Sequence, residues 1–203
     1  MNGHLTRLAR PFAHANYRRY FFGQSVSFIG NWMQSAAQAW LVYRLTGSAV
    51  MLGLTAFANQ LPVFLLAPIG GAYADHHGRR TMLLYMQWCG LVLALLLAAL
   101  TWSGHIRVAG VIAIAVFTGI VSAFEIPARQ ALLVELVGKR DLLNAVAMNS
   151  AIVNIARVVG PALAGLVIAV AGEAWCFAAN GATYFAMIAA LAAMQLPAKP
   201  PRG

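Results

Sequence analysis

Long runs without any Lys, Arg, Asp or Glu dominate the sequence. They cover residues 20–43, 45–74, 81–106, 108–124 and 174–198, and between 142 and 172 the one charged residue is Arg157. A helix rises about 1.5 Å per residue and the hydrocarbon core of a bilayer is about 30 Å thick, so each run can cross it once. The sequence therefore predicts six transmembrane spans, numbered 1 to 6, at 18–43, 48–74, 81–102, 107–126, 143–171 and 174–196.

Composition excludes a soluble domain. Hydrophobic residues make up 61% of the chain and charged residues 9%, whereas soluble domains carry about 25% charged residues. The runs are also too long, and too uniform, for barrel strands. We predict an all-α integral membrane protein with a cytoplasmic segment at 1–16, a six-helix bundle at 17–196 and the start of a cytoplasmic loop at 197–203.

The net charge of +9 follows the positive-inside rule rather than a nucleic-acid surface. Eleven basic residues flank span ends on one side of the membrane, against two on the other, Arg44 and Arg107. This bias places both termini in the cytoplasm, and no nucleic-acid partner is expected. The sequence shows no cleavable signal, and its cysteines and histidines have no metal spacing, so we expect no cofactor and no metal site.

Residues 70–80 form the most informative loop, GGAYADHHGRR. A stop-transfer loop would explain Arg79 and Arg80 as ordinary positive-inside charge at the level of the lipid phosphates. It would not explain the fixed spacing of Asp75 and Gly78 from those arginines. Gly71, one turn before Asp75, allows close packing of span 2 on a neighbour.

This loop resembles the signature of the major facilitator superfamily, G-x-x-x-D-(R/K)-x-G-(R/K)-(R/K). Gly71, Asp75, Gly78, Arg79 and Arg80 match in register, and His76 stands where the family has Arg or Lys. The resemblance implies one six-helix bundle built from 3+3 inverted repeats. It also implies a cytoplasmic gate in which Asp75 caps a helix of a second bundle, and His76 adds a group that titrates near neutral pH.

Glu125 and Arg129 lie four residues apart, on one helix face if the helix continues through Pro127. One interpretation is an interfacial ion pair, worth well under about 1 kcal/mol if wet. The other, implied by the resemblance, is a charge relay in which Glu125 meets Arg79 at the inner mouth. Residues 129–146 predict a short interfacial helix that breaks at Gly138.

Span 5 contains Arg157, Gly160, Pro161 and Gly165. The small residues favour close packing between helices, and the G-P-x-x-x-G pattern resembles a motif of exporters in the family. Arg157 lies halfway along the span, where a cation costs about 2.5 kcal/mol or more without a partner. It either pairs with a carboxylate outside this chain or faces an anionic substrate.

Span 1 carries a polar stripe at Gln24, Asn31 and Gln38. We predict that this stripe lines a central cavity together with Arg157; the alternative is hydrogen bonding between helices, worth about 0.6 kcal/mol per contact. All five acidic residues lie near predicted span ends. A proton-coupled mechanism would therefore need its titrating group elsewhere.

Segments such as 16–24, 30–34, 127–130 and 154–161 resemble the exporter branch that includes the enterobactin (siderophore) exporter. The resemblance covers the first six of an expected twelve helices. It implies export of a small molecule, siderophore or drug-like, by alternating access across the bacterial inner membrane, without enzymatic activity. The expected partners are lipid, the substrate, a second six-helix bundle (a C-terminal half or a homodimer) and possible coupling protons. The alternative is a truncated or non-transporting membrane protein that lacks this second bundle.

Overall fold

A computed structural model describes residues 10–76 and 78–195, and this part of the chain is entirely helical apart from short connections. The all-α prediction is confirmed. A 3-10 turn at Arg10–Ala13 precedes five α-helices: α1 (Ala15–Thr46), α2 (Ala49–His76), α3 (Arg79–Trp102), α4 (Val108–Ala171) and α5 (Glu173–Ala192). Most of the predicted N-terminal segment, residues 1–9, and the predicted loop at 197–203 lie outside the described residues.

The helix α4 is 64 residues long and contains one break, at Gly138 with φ 68° and ψ 175°. A straight helix of this length would measure about 96 Å, three times the thickness of a hydrocarbon core. The predicted break at Gly138 is confirmed, and it divides α4 into a first limb (108–137) and a second limb (139–171). Spans 4 and 5 fall on these two limbs. The separate interfacial helix predicted after Pro127 is wrong, because the first limb continues through this proline.

Four helical segments in the described residues are long and apolar enough to cross a membrane. They are Ala49–Ala74, Arg79–Trp102, Val108–Ala171 and Glu173–Ala192. The chain is therefore a multi-pass membrane protein. Helix α1 is less apolar than these four segments because it carries several amides, yet Gln24, Ser27 and Gln34 are buried against other helices rather than exposed. The count of six spans and the 3+3 repeat stay predictions.

Small residues bring the helices together. A Cβ atom built on Gly23 would lie 2.6 Å from the Ala190 Cβ of α5, and one on Gly160 would lie 2.6 Å from the Trp32 Cβ of α1. In α4, Gly119 abuts the Asn59 carbonyl of α2. Gly160 therefore packs closely against α1. A Cβ atom built on Gly165 would meet no atom of a neighbouring helix within 4 Å, because Gly165 lies on the exposed side of its limb, and close packing at Gly165 stays a prediction.

The connections define two ends of the bundle. Gly78 and Gly138 mark one end, here called the Gly78 end, and Gly47, Gly104 and Gly172 mark the other, the Gly172 end. An apolar core cluster around Tyr17, Leu83, Leu132 and Met187 occupies the Gly78 end. A second cluster, around Leu41, Leu97, Val111 and Phe177, occupies the Gly172 end.

Candidate functional site

A cavity of about 460 Å³ opens at mid-length between α1, α2 and the first limb of α4. Its wall is rich in hydrogen-bonding side chains: Asn31, Gln34, Ser35, Gln38, Thr55, Asn59, Gln60, Thr118, Ser122, Glu125 and Arg129. Phe28, Trp32 and Tyr184 add aromatic surface. Of the four residues predicted to line a cavity, the structure places Asn31 and Gln38 in this wall.

The wall follows from helical spacing. On α1 the lining residues recur at 28, 31, 34/35 and 38, on α2 at 52, 55/56 and 59/60, and on α4 at 118, 121/122, 125/126 and 129. Steps of three and four keep side chains on one helix face. Each of the three helices therefore turns its most polar face towards the same space and away from the surrounding lipid. Such faces belong against protein or water.

Glu125 and Arg129 form the charged part of the wall. The Arg129 Nη1 atom lies 3.1 Å from Glu125 Oε1, and the Gln87 Nε2 atom donates to the same oxygen at 3.2 Å. The Arg129 guanidinium also stands 4.8 Å from the centre of the Phe28 ring. The side chains of Glu125 and Arg129 are 10% and 17% exposed, so this pair is not a wet surface contact. The two charges compensate each other within the cavity.

The predicted contact between Glu125 and Arg79 is wrong. Arg79 Nη1 lies 3.6 Å from Glu135 Oε2 and donates to the Ala131 carbonyl at 3.1 Å. Glu125 instead lies at the depth of Gln87, about 12 Å along α3 from Arg79. The helix continues through Pro127, and this places Glu125 inside the bundle. The expectation that every carboxylate lies near a span end is corrected accordingly.

The gate motif is described in part. A Cβ atom built on Gly71 would lie 3.9 Å from the Pro127 Cβ atom. The backbones of Asp75 and His76 complete the last turn of α2. The Asp75 and His76 side chains lie outside the described part of the chain. Gly78 precedes α3 with φ −60° and ψ 115°, a conformation open to any residue.

Arg80, expected at the level of the lipid phosphates, caps the C-terminal end of α5. Its Nε atom donates to the Leu191 carbonyl at 2.7 Å and its Nη2 atom to the Ala192 carbonyl at 2.9 Å. Arg19 donates to the Ala193 carbonyl at 2.6 Å. The last carbonyls of a helix have no partner within the helix, so cationic donors at this point satisfy them. Two arginines from different helices thus fix the Gly78 end of α5.

Gln24 does not line the cavity, contrary to prediction. Its side chain is 1% exposed, and neither of its polar atoms has a partner among the described residues. Phe28, one turn further along α1, forms the cavity floor together with Arg129, which places Gln24 beneath that floor. The spacing of seven residues kept Gln24 near the face of Asn31 but could not show where the floor lies.

Asn180 of α5 joins the polar stripe of α1 from behind. Its Nδ2 atom donates to Gln34 Oε1 at 2.8 Å and to Asn31 Oδ1 at 3.2 Å, and Thr183 Oγ1 donates to Asn180 Oδ1 at 2.9 Å. Both interpretations of the stripe therefore hold for Asn31, which lines the cavity and bonds another helix. In the sequence, the sign of this contact is the Asn180 amide within a long apolar run.

Sequence reasoning missed the pairing at the Gly172 end. Arg44 Nε donates to Glu173 Oε1 at 2.7 Å, and Arg44 Nη2 to Glu173 Oε2 at 3.4 Å. This fork ties the end of α1 to the first turn of α5. The signal available was the presence of one Arg after span 1 and one Glu before span 6.

Arg157 lies beside the cavity but outside its lining. Its guanidinium stands 5.0 Å from the centre of the Trp32 ring, and Trp32 does line the cavity. The Arg157 side chain is exposed. Sequence reasoning identified Arg157 and missed the indole that holds it.

Comparison with known proteins identifies the family. Residues 6–202 match the major facilitator family model described as transmembrane secretion effector. The staphyloferrin A transporter of Staphylococcus aureus is 36% identical over 169 residues, which are 82% of this chain and 43% of the relative. The enterobactin exporter of Shigella boydii is 26% identical over 190 residues, 93% of this chain and 45% of the relative.

A third relative is named for multidrug efflux. The multidrug efflux pump Tap of Mycolicibacterium fortuitum is 29% identical over 148 residues, 70% of this chain and 36% of the relative. The chain thus spans less than half the length of these curated relatives. Its similarity to them extends along most of its own length, so the shared part includes the cavity helices.

Proposed function

The chain belongs to the transmembrane secretion effector family of the major facilitator superfamily, and on that premise we propose that it forms one wall of an export path. The supporting observation is the polar cavity at mid-length of otherwise apolar helices. A cavity at this depth, lined by amides and one ion pair, suits a solute-binding site in alternating access. The transported molecule is a small one, of the siderophore or drug-like kind that the relatives' names indicate.

The proposal includes six spans. Helix α1 is 32 residues long and lies against α5 with its polar side chains turned inward. The two limbs of α4 are separated by Gly138 and supply spans 4 and 5. The positive-inside bias supports placing the Gly78 end, with both termini, in the cytoplasm of a bacterial cell and the bundle in its inner membrane. The 3+3 repeat is proposed on the family's fold.

A second six-helix bundle completes the path. The second limb of α4 exposes large apolar side chains along its length, and the cavity is only partly enclosed. A C-terminal half or a second copy of this chain would cover both. In this assembly Asp75 would cap a helix of the second bundle and so close the cytoplasmic side. Protons are proposed as the coupling ion.

The test is export from cells that express the chain alone, the chain with a second bundle, or neither. Enterobactin, staphyloferrin A and ethidium serve as probes, and cellular accumulation is measured at matched membrane abundance. Lower accumulation of any probe in cells that express the chain, either with a second bundle or alone as a dimer, supports the proposal. No change in accumulation in any cell sinks the transport claim and favours a non-transporting membrane protein.

The gate is tested in the transporting assembly. Asp75→Asn keeps the size of the side chain and removes its charge, so we expect transport to fall about tenfold or more while membrane abundance stays unchanged. Arg107→Asn, at the Gly172 end, is the control for a single charge removed from a loop. An equal loss of abundance and transport in Asp75→Asn would make this residue structural.

A further inference from the structure

The Arg157–Trp32 pair is the feature that the export proposal leaves without a role. Arg157 lies at the centre of the second limb of α4, far from both ends, where a cation needs a counter-charge or water. Within the described residues, no carboxylate forms an ion pair with its guanidinium. Its recorded contact is the face of the Trp32 indole at 5.0 Å.

The helices are closely packed around this pair. Gly160 follows Arg157 by one turn and packs on the Trp32 Cβ atom and on the Met33 backbone nitrogen, at 2.6 and 2.8 Å from a built Cβ. Ala156, the neighbour of Arg157, is fully buried. The two helices are therefore fixed to each other at the point where the cation meets the ring. The backbone packing at Gly160 and the cation–π contact therefore both keep Arg157 beside Trp32.

A cation–π contact uses the face of a guanidinium and leaves its edge available. The five N–H donors lie in the plane of the group, in a fork that matches carboxylate geometry. Arg157 is exposed in this chain, so this edge is open to a ligand. Trp32 belongs to the cavity wall, and a molecule in the cavity can therefore reach both side chains.

The charge of the wall decides which ligands fit. The charged residues of the cavity lining are Glu125 and Arg129, and they pair with each other at 3.1 Å. Gln87 donates a further hydrogen bond to Glu125. Because Glu125 and Arg129 cancel each other's charge, Arg157 adds one net positive charge beside a wall of amides and hydroxyls. Such a wall attracts an anion and gives a lipophilic cation no unpaired carboxylate.

We propose that Arg157 and Trp32 form an anion subsite of the cavity, which binds the carboxylate or other anionic oxygen group of the transported molecule. Resting on the proposed function, this assigns the substrate class as oxygen-rich anions rather than lipophilic cations. Trp32 orients the guanidinium and offers its ring to the apolar part of the same ligand. Arg157 is the residue that determines specificity.

Two dyes with the same ring system and opposite charge provide the test. Carboxyfluorescein is an anion and rhodamine 6G a lipophilic cation, and fluorescence polarisation measures the binding of each to the purified chain in nanodiscs. We expect tighter binding of carboxyfluorescein. Arg157→Gln should weaken it about tenfold or more, and Arg157→Lys by a smaller factor, because lysine keeps the charge without the planar fork.

The controls separate a site from general attraction. Arg107→Gln removes the same charge from an exposed position at the Gly172 end and should leave the binding of both dyes unchanged within about twofold. Trp32→Leu should weaken carboxyfluorescein binding in a chain of unchanged thermal stability. Equal losses in Arg107→Gln and Arg157→Gln, equal losses of both dyes, or no carboxyfluorescein binding by the unaltered chain would each overturn the proposal.

Export assays distinguish this inference from the function on which it rests. Export that does not depend on the charge of the dye would keep the transporter and overturn the anion subsite. Binding that depends on Arg157, without export in any assembly, would keep the subsite and overturn the export path. An assembly that Arg157→Gln weakens, with its preference for anions unchanged, would assign Arg157 to a carboxylate of the second bundle and overturn the subsite.

Discussion

The seam between α1 and α5 and the exposed face of the second limb of α4 are both helical surfaces in the same membrane, yet only the seam is complete within this chain. The seam has glycine contacts at Gly23 and Gly30, an amide network at Asn180 and the Arg44–Glu173 fork. The open face consists of Ile155, Val158, Leu163, Leu166 and Val170, which are 39–91% exposed.

The two surfaces differ in what they contribute: one to the stability of this bundle, the other to its assembly with a second bundle. Lipid is as apolar as leucine, so burial of apolar surface gives little drive for helices to associate in a bilayer; close packing and hydrogen bonds must supply it. The seam contains both. The open face makes neither with another helix among the described residues, and a Cβ atom built on Gly165 would meet no such helix within 4 Å. We infer that the seam holds the bundle together and that a second bundle packs on the open face.

The largest effect is expected from a side chain forced into the seam. In Gly23→Val the added atoms meet the Ala190 Cβ atom at 2.6 Å and the Ala186 carbonyl at 3.2 Å. Overpacking of this kind costs about 1–3 kcal/mol, and more where backbone is in the way. Membrane abundance and melting temperature should fall sharply. Gly165→Val is the matched control on the open face, and a loss as large there would refute the contrast.

The Arg44–Glu173 fork should give the next largest effect. Arg44→Gln leaves the Glu173 carboxylate, whose side chain is 9% exposed, without its cation. An unsatisfied buried group costs about 1–3 kcal/mol, and the 52% exposure of Arg44 places the expected value in the lower part of this range. Denaturation of the purified chain measures the loss. A melting temperature unchanged relative to Arg107→Gln would show that the fork contributes nothing.

Removal of the amide network should cost about 1 kcal/mol. Asn180→Leu breaks the bonds to Asn31 and Gln34, and hydrogen bonds between membrane helices average about 0.6 kcal/mol each. Asn154→Leu is the control, since the Asn154 amide bonds the Ser150 carbonyl of its own helix on the open face. Equal destabilisation by the two substitutions, measured by the same denaturation, would mean that the network is not specific to the seam.

The smallest effect is expected on the open face itself. Val158 and Val170 are 72% and 91% exposed, so Val158→Ala and Val170→Ala should each change the stability of the chain alone by less than about 0.5 kcal/mol. With a second bundle present, both should weaken the association measured by pull-down at increasing detergent. Losses above about 1 kcal/mol in the chain alone would show that this face is already packed.

The sequence predicted those features that depend on local chemistry. Charge-free runs indicated the helices, a glycine before a charged segment indicated the break at Gly138, and a spacing of four indicated the Glu125–Arg129 contact. Asn31 and Gln38 were found because a polar stripe in an apolar helix must turn away from lipid.

Features that depend on depth or on a neighbouring helix could not be predicted in this way. Glu125 was placed near a span end because Pro127 suggested that the helix stops, whereas neighbouring helices allow it to continue. Gln24 shares the stripe but lies under a floor that Phe28 and Arg129 form. The partner of Arg79 depends on which residues of α4 reach its level, and spacing along one helix carries no such information.

The most direct test of the central claim is whether the polar wall meets water while the opposite surface meets lipid. Ser122 lines the cavity, and the native Cys89 lies exposed in an apolar groove of α3 among Val92, Leu93 and Phe117. Labelling by a charged methanethiosulfonate would compare Ser122→Cys, in a chain with both native cysteines replaced by Ala, with Cys89 in a Cys176→Ala chain. The reaction requires a thiolate, which water supports and an apolar surface suppresses.

We predict that the thiol introduced by Ser122→Cys reacts at least about tenfold faster than Cys89, and that a bound transport substrate slows this reaction. An introduced thiol as inert as Cys89 would contradict the account, because the wall would then be dry and the cavity would not be part of a transport path.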